Sequence, residues 1–164
     1  MLSRPRYSLI CLYRCKLLSK LLAGCLCIIV RCILADNTLA AYHAVAKGVT
    51  DAGKEAEIVF VSSASIDELK SETAFALGCP AMGAEVLEEG EMEPFVTDLE
   101  GSVAGKTIGL FGSYGWGDGE WMRTWESDCD SAGVNLVCES VICTETPDDA
   151  ALEACRALGK ALVE

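Results

Sequence analysis

Short apolar runs alternate with longer amphipathic segments from Leu26 to the carboxyl terminus. One of these runs, residues 107–111 (TIGLF), is apolar on both faces of a strand. Continuous apolar strands of this kind occur in parallel sheets that are covered on both sides. Strands that alternate with helices indicate an α/β fold. The pattern therefore predicts an open, doubly wound α/β sheet of five parallel strands with helices on both faces.

The alternation assigns each element to a stretch of sequence. The strands are predicted at residues 26–30, 58–61, 73–77, 107–111 and 134–138. The helices are predicted at residues 39–52, 91–99, 121–132 and from Thr146 onward, with a single turn at residues 66–70. Thr146 suits the N-cap of the last helix and Pro147 its first position, and Pro94 should shorten or bend its helix. Ligands of such sheets lie beyond the carboxyl ends of the strands, so the segments that follow the strands should carry the function.

Charge is distributed unevenly along the 164 residues. Residues 1–34 contain six basic side chains and no acidic one, whereas residues 35–164 contain all 25 acidic residues and seven basic ones, a net charge of −18. Such a surface repels nucleic acid and steers basic proteins toward it. We expect no nucleic-acid binding and partners with basic docking surfaces, unless the charge serves only solubility.

Residues 1–25 form an atypical basic, cysteine-rich extension, distinct from a domain at residues 26–164. The sequence LAGC at residues 22–25 matches a lipoprotein cleavage box, but three basic side chains interrupt the apolar stretch that should precede it. The longest charge-free apolar run there, residues 21–30, is too short to span a bilayer. We expect no membrane association, and the extension is either genuine or an artefact of the assumed translation start.

The chain has ten cysteines and one histidine, His43. No C-x-x-C pair occurs, so neither a zinc nor an iron–sulfur site is expected. Cys138 and Cys155 lie in apolar patterns, which is typical of small core residues. Reduced thiols are typical of the cytoplasm, and we expect a cytoplasmic protein.

Two glycine-containing loops follow predicted strands three and four. Residues 78–89 read GCPAMGAEVLEE and residues 112–121 read GSYGWGDGEW. Glycine lets a backbone approach a ligand closely, while Met82 and Trp116 offer adaptable and flat apolar contact. Either side chain could instead belong to the core, but the glycines around Trp116 would contribute little buried area. The loops therefore predict a flat aromatic ligand between Met82 and Trp116.

The segments AMGAEVLEE (81–89) and FGSYGWGDGEWM (111–122) resemble the two flavin-holding loops of short-chain bacterial flavodoxins. The similarity extends from about Asn37 to the carboxyl terminus. The resemblance implies the strand order 2-1-3-4-5 and a non-covalent flavin mononucleotide (FMN). It implies a low-potential, one-electron carrier between redox enzymes, and we expect a monomer. No catalytic acid, base or nucleophile is expected, so the chain would be an electron-transfer protein rather than an enzyme.

The resemblance also implies roles for individual residues. Met82 would cover the inner face of the flavin and Trp116 the outer face. The Gly83 carbonyl would accept a hydrogen bond from flavin N5–H, and Glu85 would accept one from N3–H. The negative charges of Asp118 and Glu120 would lower the reduction potential. The implied cofactor-binding residues are Asn37, Thr38, Pro80, Ala81, Met82, Gly83, Ala84, Glu85, Ser113, Tyr114, Gly115, Trp116, Gly117 and Asp118.

The family's phosphate-binding element is matched only in part. In flavodoxins, the loop after strand one resembles Ser-x-Thr-Gly-Asn-Thr. The hydroxyls and amides of this loop hold the FMN phosphate. Here only Asn37 and Thr38 match, and Asp36 places a carboxylate where the dianion should lie. A like-charge contact at about 4–5 Å costs roughly 3–4 kcal/mol at an effective dielectric near 20. We expect weaker FMN binding than the full motif would give.

Two other functions remain open from the sequence. The altered phosphate loop favours a flavodoxin-like scaffold or regulatory module that has lost FMN, whereas the intact loops around Met82 and Trp116 favour an FMN carrier. A flavodoxin tethered to a membrane through Cys25 is the second alternative. A phosphorelay receiver fits poorly, because no acidic pair follows strand one.

Overall fold

The computed structural model describes residues 26–32 and 38–164. The extension at residues 1–25, Asp36 and Asn37 lie outside the described residues. The strands are β1 (Leu26–Arg31), β2 (Glu55–Phe60), β3 (Ala74–Gly78), β4 (Thr107–Tyr114), β5 (Asn135–Leu136) and β6 (Val141–Thr144). The helices are α1 (Leu39–Asp51), α2 (Ile66–Ser71), α3 (Met92–Glu100), α4 (Glu120–Ser131) and α5 (Asp149–Ala161), with a short 3₁₀ helix at Val61–Ser63.

The strands form one parallel sheet in the order β2-β1-β3-β4-β5, which confirms the predicted 2-1-3-4-5 order. Arg31 of β1 is in register with Gly78 of β3, and Gly78 is in register with Phe111 of β4. The carboxyl ends of β1 and β3 therefore lie level with each other beside β4, at the edge where this fold binds ligands.

Helices cover both faces of the sheet, as the continuous apolar strands predict. Ile28 and Val30 of β1 belong to a buried cluster that includes side chains of α2, α3 and α4. Cys27 and Ile29 belong to a second buried cluster, which includes side chains of α1 and α5. Successive side chains of a strand point to opposite faces, so β1 must be apolar at every interior position.

The fifth strand of the sheet differs from the prediction. The strand predicted at residues 134–138 is wrong in its length. Only Asn135 and Leu136 form a strand beside β4, and the chain returns as β6 farther along β4. Polar residues, Glu139 and Ser140, take the intervening stretch out of the sheet. Cys138 is exposed there, so its assignment to the core is also wrong, whereas Cys155 is buried.

Strand β4 continues through Tyr114, three residues beyond its predicted end. Gly112 and Ser113 therefore belong to a strand rather than a loop, because β6 pairs with residues 111–114 of β4. The start of α5 also differs from the prediction. Its N-cap is Asp148 rather than Thr146, since the Asp148 carboxylate accepts a hydrogen bond from the Ala151 N–H at 2.8 Å.

Helices α1 and α5 cross at two glycines. A Cβ atom at Gly48 would collide with the Arg156 carbonyl, and one at Gly159 would collide with the Val45 carbonyl. The two backbones therefore approach so closely that neither position admits a side chain. This crossing fixes α1, the helix that follows β1, against the sheet.

We expect Gly159→Ala to lower the free energy of unfolding by about 1–3 kcal/mol, because the added methyl group overpacks the crossing. Gly101→Ala is the matched control, because an added Cβ there meets nothing within 4 Å. The control should be neutral or stabilise by up to about 1 kcal/mol. Chemical denaturation of the three proteins measures the difference, and equal stabilities would contradict the close crossing.

Candidate functional site

The two predicted loops leave the sheet side by side. The Cys79 N–H donates to the Phe111 carbonyl at 3.1 Å and the Ala81 N–H donates to the Ser113 carbonyl at 2.8 Å, so pairing continues past the end of β3. Pro80, Ala81 and Ser113 are buried and form the base of this region. The structure thus brings the predicted residues of both loops to one edge of the sheet.

The first loop is a tight turn. The backbone groups of Met82 and Val86 hydrogen-bond in both directions, at 2.9 and 3.0 Å. Gly83 and Glu85 within this turn have positive φ angles of 49° and 55°. Met82 is half-buried, while Gly83 and Ala84 are exposed at the tip. The turn therefore presents the Gly83–Ala84 peptide to solvent on a fixed base.

Glu85 links the two loops. Its Oε1 accepts hydrogen bonds from the Asp118 N–H at 3.1 Å and the Gly119 N–H at 2.8 Å. Gly119 precedes α4, so the carboxylate also lies at the positive end of the helix dipole. A positive φ is strained in a non-glycine residue, and these two bonds hold Glu85 in that conformation. The adjoining Gly117 must be glycine, because a Cβ there would collide with the Glu85 carboxylate and its φ is +82°.

Trp116 is a surface side chain, with 58% of its area exposed. The alternative that it is a core tryptophan is therefore wrong. Its indole Nε1–H donates a hydrogen bond to the Gly83 carbonyl at 3.2 Å, so the second loop reaches directly to the first. The neighbouring Gly115 is exposed, and an added Cβ there would meet nothing within 4 Å. An exposed indole beside open backbone fits a planar aromatic ring.

The buried Trp121 of α4 supports the base of the site. Its Nε1–H donates to the Cys79 carbonyl at 3.3 Å, and its ring lies 5.3 Å from that of Tyr114. The sequence motif includes Trp121, but its supporting role was not foreseen. Its place one turn before Trp125 on the apolar face of a predicted helix is the signal that distinguishes it from the exposed Trp116.

Asp118 carries less free negative charge than the sequence suggests. Its carboxylate accepts from Arg123 Nη2 at 2.7 Å, and its backbone carbonyl accepts from Arg123 Nη1 at 2.8 Å. Both side chains are largely exposed, so the pair contributes little to stability. It does place a positive charge beside the second loop and partly offsets Asp118.

Glu88 fixes the far end of the first loop, which the sequence did not reveal. Its carboxylate accepts from the backbone N–H groups of Gly90, Glu91 and Met92 at 2.7, 2.8 and 3.1 Å, at the start of α3. Desolvation of the carboxylate alone would raise its pKa. The three N–H donors outweigh desolvation, and the pKa of Glu88 lies below its ordinary value of 4.5.

Two residues, Asn37 and Thr38, match the family's phosphate-binding motif, and the structure describes one of them. Thr38 is fully buried immediately before α1, and Asn37 lies outside the described residues.

Within residues 26–32 and 38–164, no group of three or more His, Cys, Asp or Glu side chains is placed to hold a metal ion. No helix in the same ranges is both long and apolar enough to cross a membrane.

We expect Glu88→Gln to lower the free energy of unfolding by about 1 kcal/mol at neutral pH, as loss of a helix-capping group does. A folded pKa below the unfolded value means that Glu88 stabilises the protein above about pH 4.5, and that this contribution disappears as the pH falls through the folded pKa. Denaturant titrations at pH 7 and below pH 4 measure the free energy of unfolding of the variant and of the unaltered chain. The difference between the two free energies should be smaller below pH 4 than at pH 7. Glu89→Gln, at the exposed neighbour, is the control, and a difference that does not change with pH would contradict the capping role.

Comparison with known proteins agrees with this geometry. The flavodoxin family model matches residues 37–159. A flavodoxin of Clostridium beijerinckii is 45% identical over 114 residues, covering 70% of this chain and 83% of the relative, and one of Megasphaera elsdenii is 41% identical over 125 residues, covering 76% and 89%. The solution structure of two-electron reduced Megasphaera elsdenii flavodoxin superimposes with a TM-score of 0.75 at 38% identity, covering 83% of this chain and 98% of that one. The chain belongs to the flavodoxin family of FMN-binding electron-transfer proteins.

Proposed function

We propose that this chain carries one electron at a time between redox enzymes, at low potential, with FMN held between the Met82 and Trp116 loops. The observation that carries the proposal is the exposed indole of Trp116, which contacts Gly83 of the neighbouring loop at 3.2 Å. An aromatic side chain that is exposed, yet tied to a second loop, is poorly explained by packing alone. It is well placed to stack on a planar ring.

The bound FMN supplies the redox chemistry, and the protein positions it. Met82 would cover one face of the ring and Trp116 the other, if the indole gives up its hydrogen bond to Gly83. The Gly83 carbonyl would then be free to accept a hydrogen bond from a ring N–H. Glu85 uses Oε1 to hold the second loop, and a carboxylate retains acceptor capacity for a further donor such as flavin N3–H.

The remaining residues of the proposed site contribute backbone groups and shape. Gly115 and Gly117 keep the second loop narrow, and backbone amides around Ser113, Tyr114 and Gly115 would hold the polar edge of the ring. Pro80, Ala81 and Ala84 shape the first loop, and Asp118 lies at the end of the second. Thr38 and Asn37 would contact the phosphate.

Negative charge near the ring lowers its reduction potential, because it disfavours the anionic reduced form. Glu85 and Glu120 supply this charge, whereas the contribution of Asp118 is reduced by its ion pair with Arg123. We therefore propose a low potential that depends more on Glu85 than on Asp118.

The proposal includes no catalytic residue, because the protein exchanges electrons and transforms no substrate of its own. The net charge of −18 over residues 35–164 favours redox partners with basic docking surfaces, whose approach it would accelerate. We propose a cytoplasmic monomer that binds neither nucleic acid nor membrane, with residues 1–25 as an extension outside the FMN domain.

The test of this function is the visible spectrum of the purified full chain, before and after addition of FMN. A yellow protein whose flavin can be reduced and reoxidised by a redox partner supports the proposal. A chain that stays colourless after addition and removal of excess FMN would overturn it and favour the scaffold function.

We expect Trp116→Ala to weaken FMN binding about threefold to tenfold, because loss of an aromatic contact costs about 0.5–1.5 kcal/mol. Trp116→Phe keeps a planar ring and has no N–H bond to Gly83 to give up, so its affinity should stay within about threefold of that of the unaltered chain. Quenching of flavin fluorescence on titration measures the dissociation constants. Equal affinity in all three proteins would show that Trp116 does not contact the flavin.

A further inference from the structure

We infer that the outer edge of β6 docks an extended basic segment of a redox partner, which joins the sheet as an additional strand. The inference rests on the proposed function for the kind of partner, and it adds the surface and the way in which the partner binds. The sequence did not reveal this edge, because β6 was not predicted as a separate strand.

The outer edge of β6 carries backbone groups that no strand pairs with. Among the described residues, β6 pairs with β4 alone. The Glu145 N–H donates to the Tyr114 carbonyl at 2.8 Å, toward β4. Because the backbone groups of successive residues in a strand face alternate sides, those of Ile142 and Thr144 face away from β4. Strand β6 contains neither a charged residue nor a proline, two features that commonly protect such an edge from pairing.

A groove of about 990 Å³ lies beside this edge, between β6 and α5. Small side chains form most of its α5 wall, at Ala150, Ala151, Ala154, Ala157 and Ala161. They leave room for the larger apolar side chains that a docked strand would present at every second position. The Ser140 hydroxyl in the opposite wall is buried and has no hydrogen-bond partner among the described residues. A buried polar group in this state favours a ligand that supplies a partner.

The charge of the groove selects a basic segment. Its charged lining residues, Glu139 and Asp148, are both acidic. Glu139 precedes β6 and Asp148 precedes α5, so one carboxylate lies near each end of the strand. Asp148 caps α5 through Oδ1, and a carboxylate retains acceptor capacity for a further donor. A segment with basic side chains at its ends and apolar ones between them matches this groove, whereas a second copy of this chain would bring its own acidic edge.

The edge of β6 lies beside the proposed flavin site. Ile142 is 39% exposed, and its Cδ1 lies 3.0 Å from the position that a Cβ atom at Gly119 would occupy. The Gly119 N–H in turn donates to Glu85, which links the two loops. A partner segment bound along β6 would therefore bring the partner close to the ring with which it exchanges electrons.

Binding of a synthetic peptide to the full chain tests the inference. The probe is a dye-labelled peptide of sequence Lys-Val-Thr-Val-Thr-Val-Lys, and the control peptide has glutamate at both ends. Fluorescence anisotropy at low ionic strength measures the two affinities. We expect the lysine peptide to bind at least about tenfold more tightly, because like charges at the groove repel the control peptide.

Variants of the groove locate the binding. Asp148→Asn keeps the helix cap, because asparagine and aspartate cap about equally well, and Glu139→Gln removes the other carboxylate. The double variant should bind the lysine peptide about threefold to tenfold more weakly. Ala154→Lys places a long cationic side chain in the groove and should weaken binding at least about tenfold. Glu153→Gln, which alters an acid of α5 outside the groove, should leave the affinity unchanged.

Amide hydrogen exchange of the unaltered chain distinguishes strand addition from loose electrostatic contact. The lysine peptide should slow exchange of the Ile142 and Thr144 N–H groups, which face outward. It should leave exchange of the Cys143 N–H, which faces β4, unchanged. This measurement needs no variant and decides the question if a substituted chain does not fold.

The outcomes separate the two proposals. A chain that takes up no FMN but binds the lysine peptide as expected would refute the proposed function and leave the docking surface without a redox role. A chain that takes up FMN but binds the two peptides equally, or binds neither, overturns the inference. So does unchanged exchange at Ile142 and Thr144. Self-association that Ala154→Lys abolishes would identify a second copy of the chain as the occupant, and this too would overturn the inference.

Discussion

The backbone pairing beyond the end of β3 is the constraint on which the site depends. The hydrogen bond from the Ala81 N–H to the Ser113 carbonyl, at 2.8 Å, makes the first loop start at a fixed height beside β4. Register in a sheet with two buried faces is strongly specified, because a one-residue slip turns every side chain to the other face. The apolar clusters on the two faces therefore determine where Met82 and Trp116 meet, although neither residue belongs to them.

Beyond the sheet, the loops are held together by polar contacts instead of a core. Glu85 reaches the amides before α4, Trp116 reaches the Gly83 carbonyl, and Glu88 caps α3. A neutral bond of this kind contributes about 0.5–1.5 kcal/mol net and one to a carboxylate about 1.5–3 kcal/mol, so the loops can rearrange at a small cost compared with the sheet. A binding edge has to be built this way, since covering it with a helix would close it to the ligand and to redox partners.

The sequence predicted the structural features that depend on local sequence pattern. It did not predict those that depend on contacts between segments far apart in the chain. The positions of most elements follow from apolar runs and turn residues that are visible in the chain itself, and the strand order follows from the resemblance to flavodoxins. The length of β4 does not, because Gly112 and Ser113 become strand only when β6 pairs with them. Likewise, Thr146 and Asp148 are both good caps by composition, and the choice between them depends on which side chain reaches the Ala151 N–H.

The contacts within the site were missed for the same reason. Glu85 and Gly119 are 34 residues apart, and Trp116 and Gly83 are 33 apart. The resemblance to flavodoxins assigned Gly83, Glu85 and Trp116 to the flavin, but it did not reveal that these residues also hold the two loops together. Only the register of β3 and β4 brings them within hydrogen-bonding distance.

The fold separates the features that set redox potential from those that retain the cofactor. The loops that would flank the ring follow β3 and β4, whereas the phosphate-binding position would follow β1. Substitutions near α1 can therefore weaken binding of the phosphate while the surroundings of the ring, including Glu85, stay unchanged. A chain whose phosphate loop has diverged from its family can thus keep the family's electron-transfer chemistry, provided that another group compensates the charge of the phosphate.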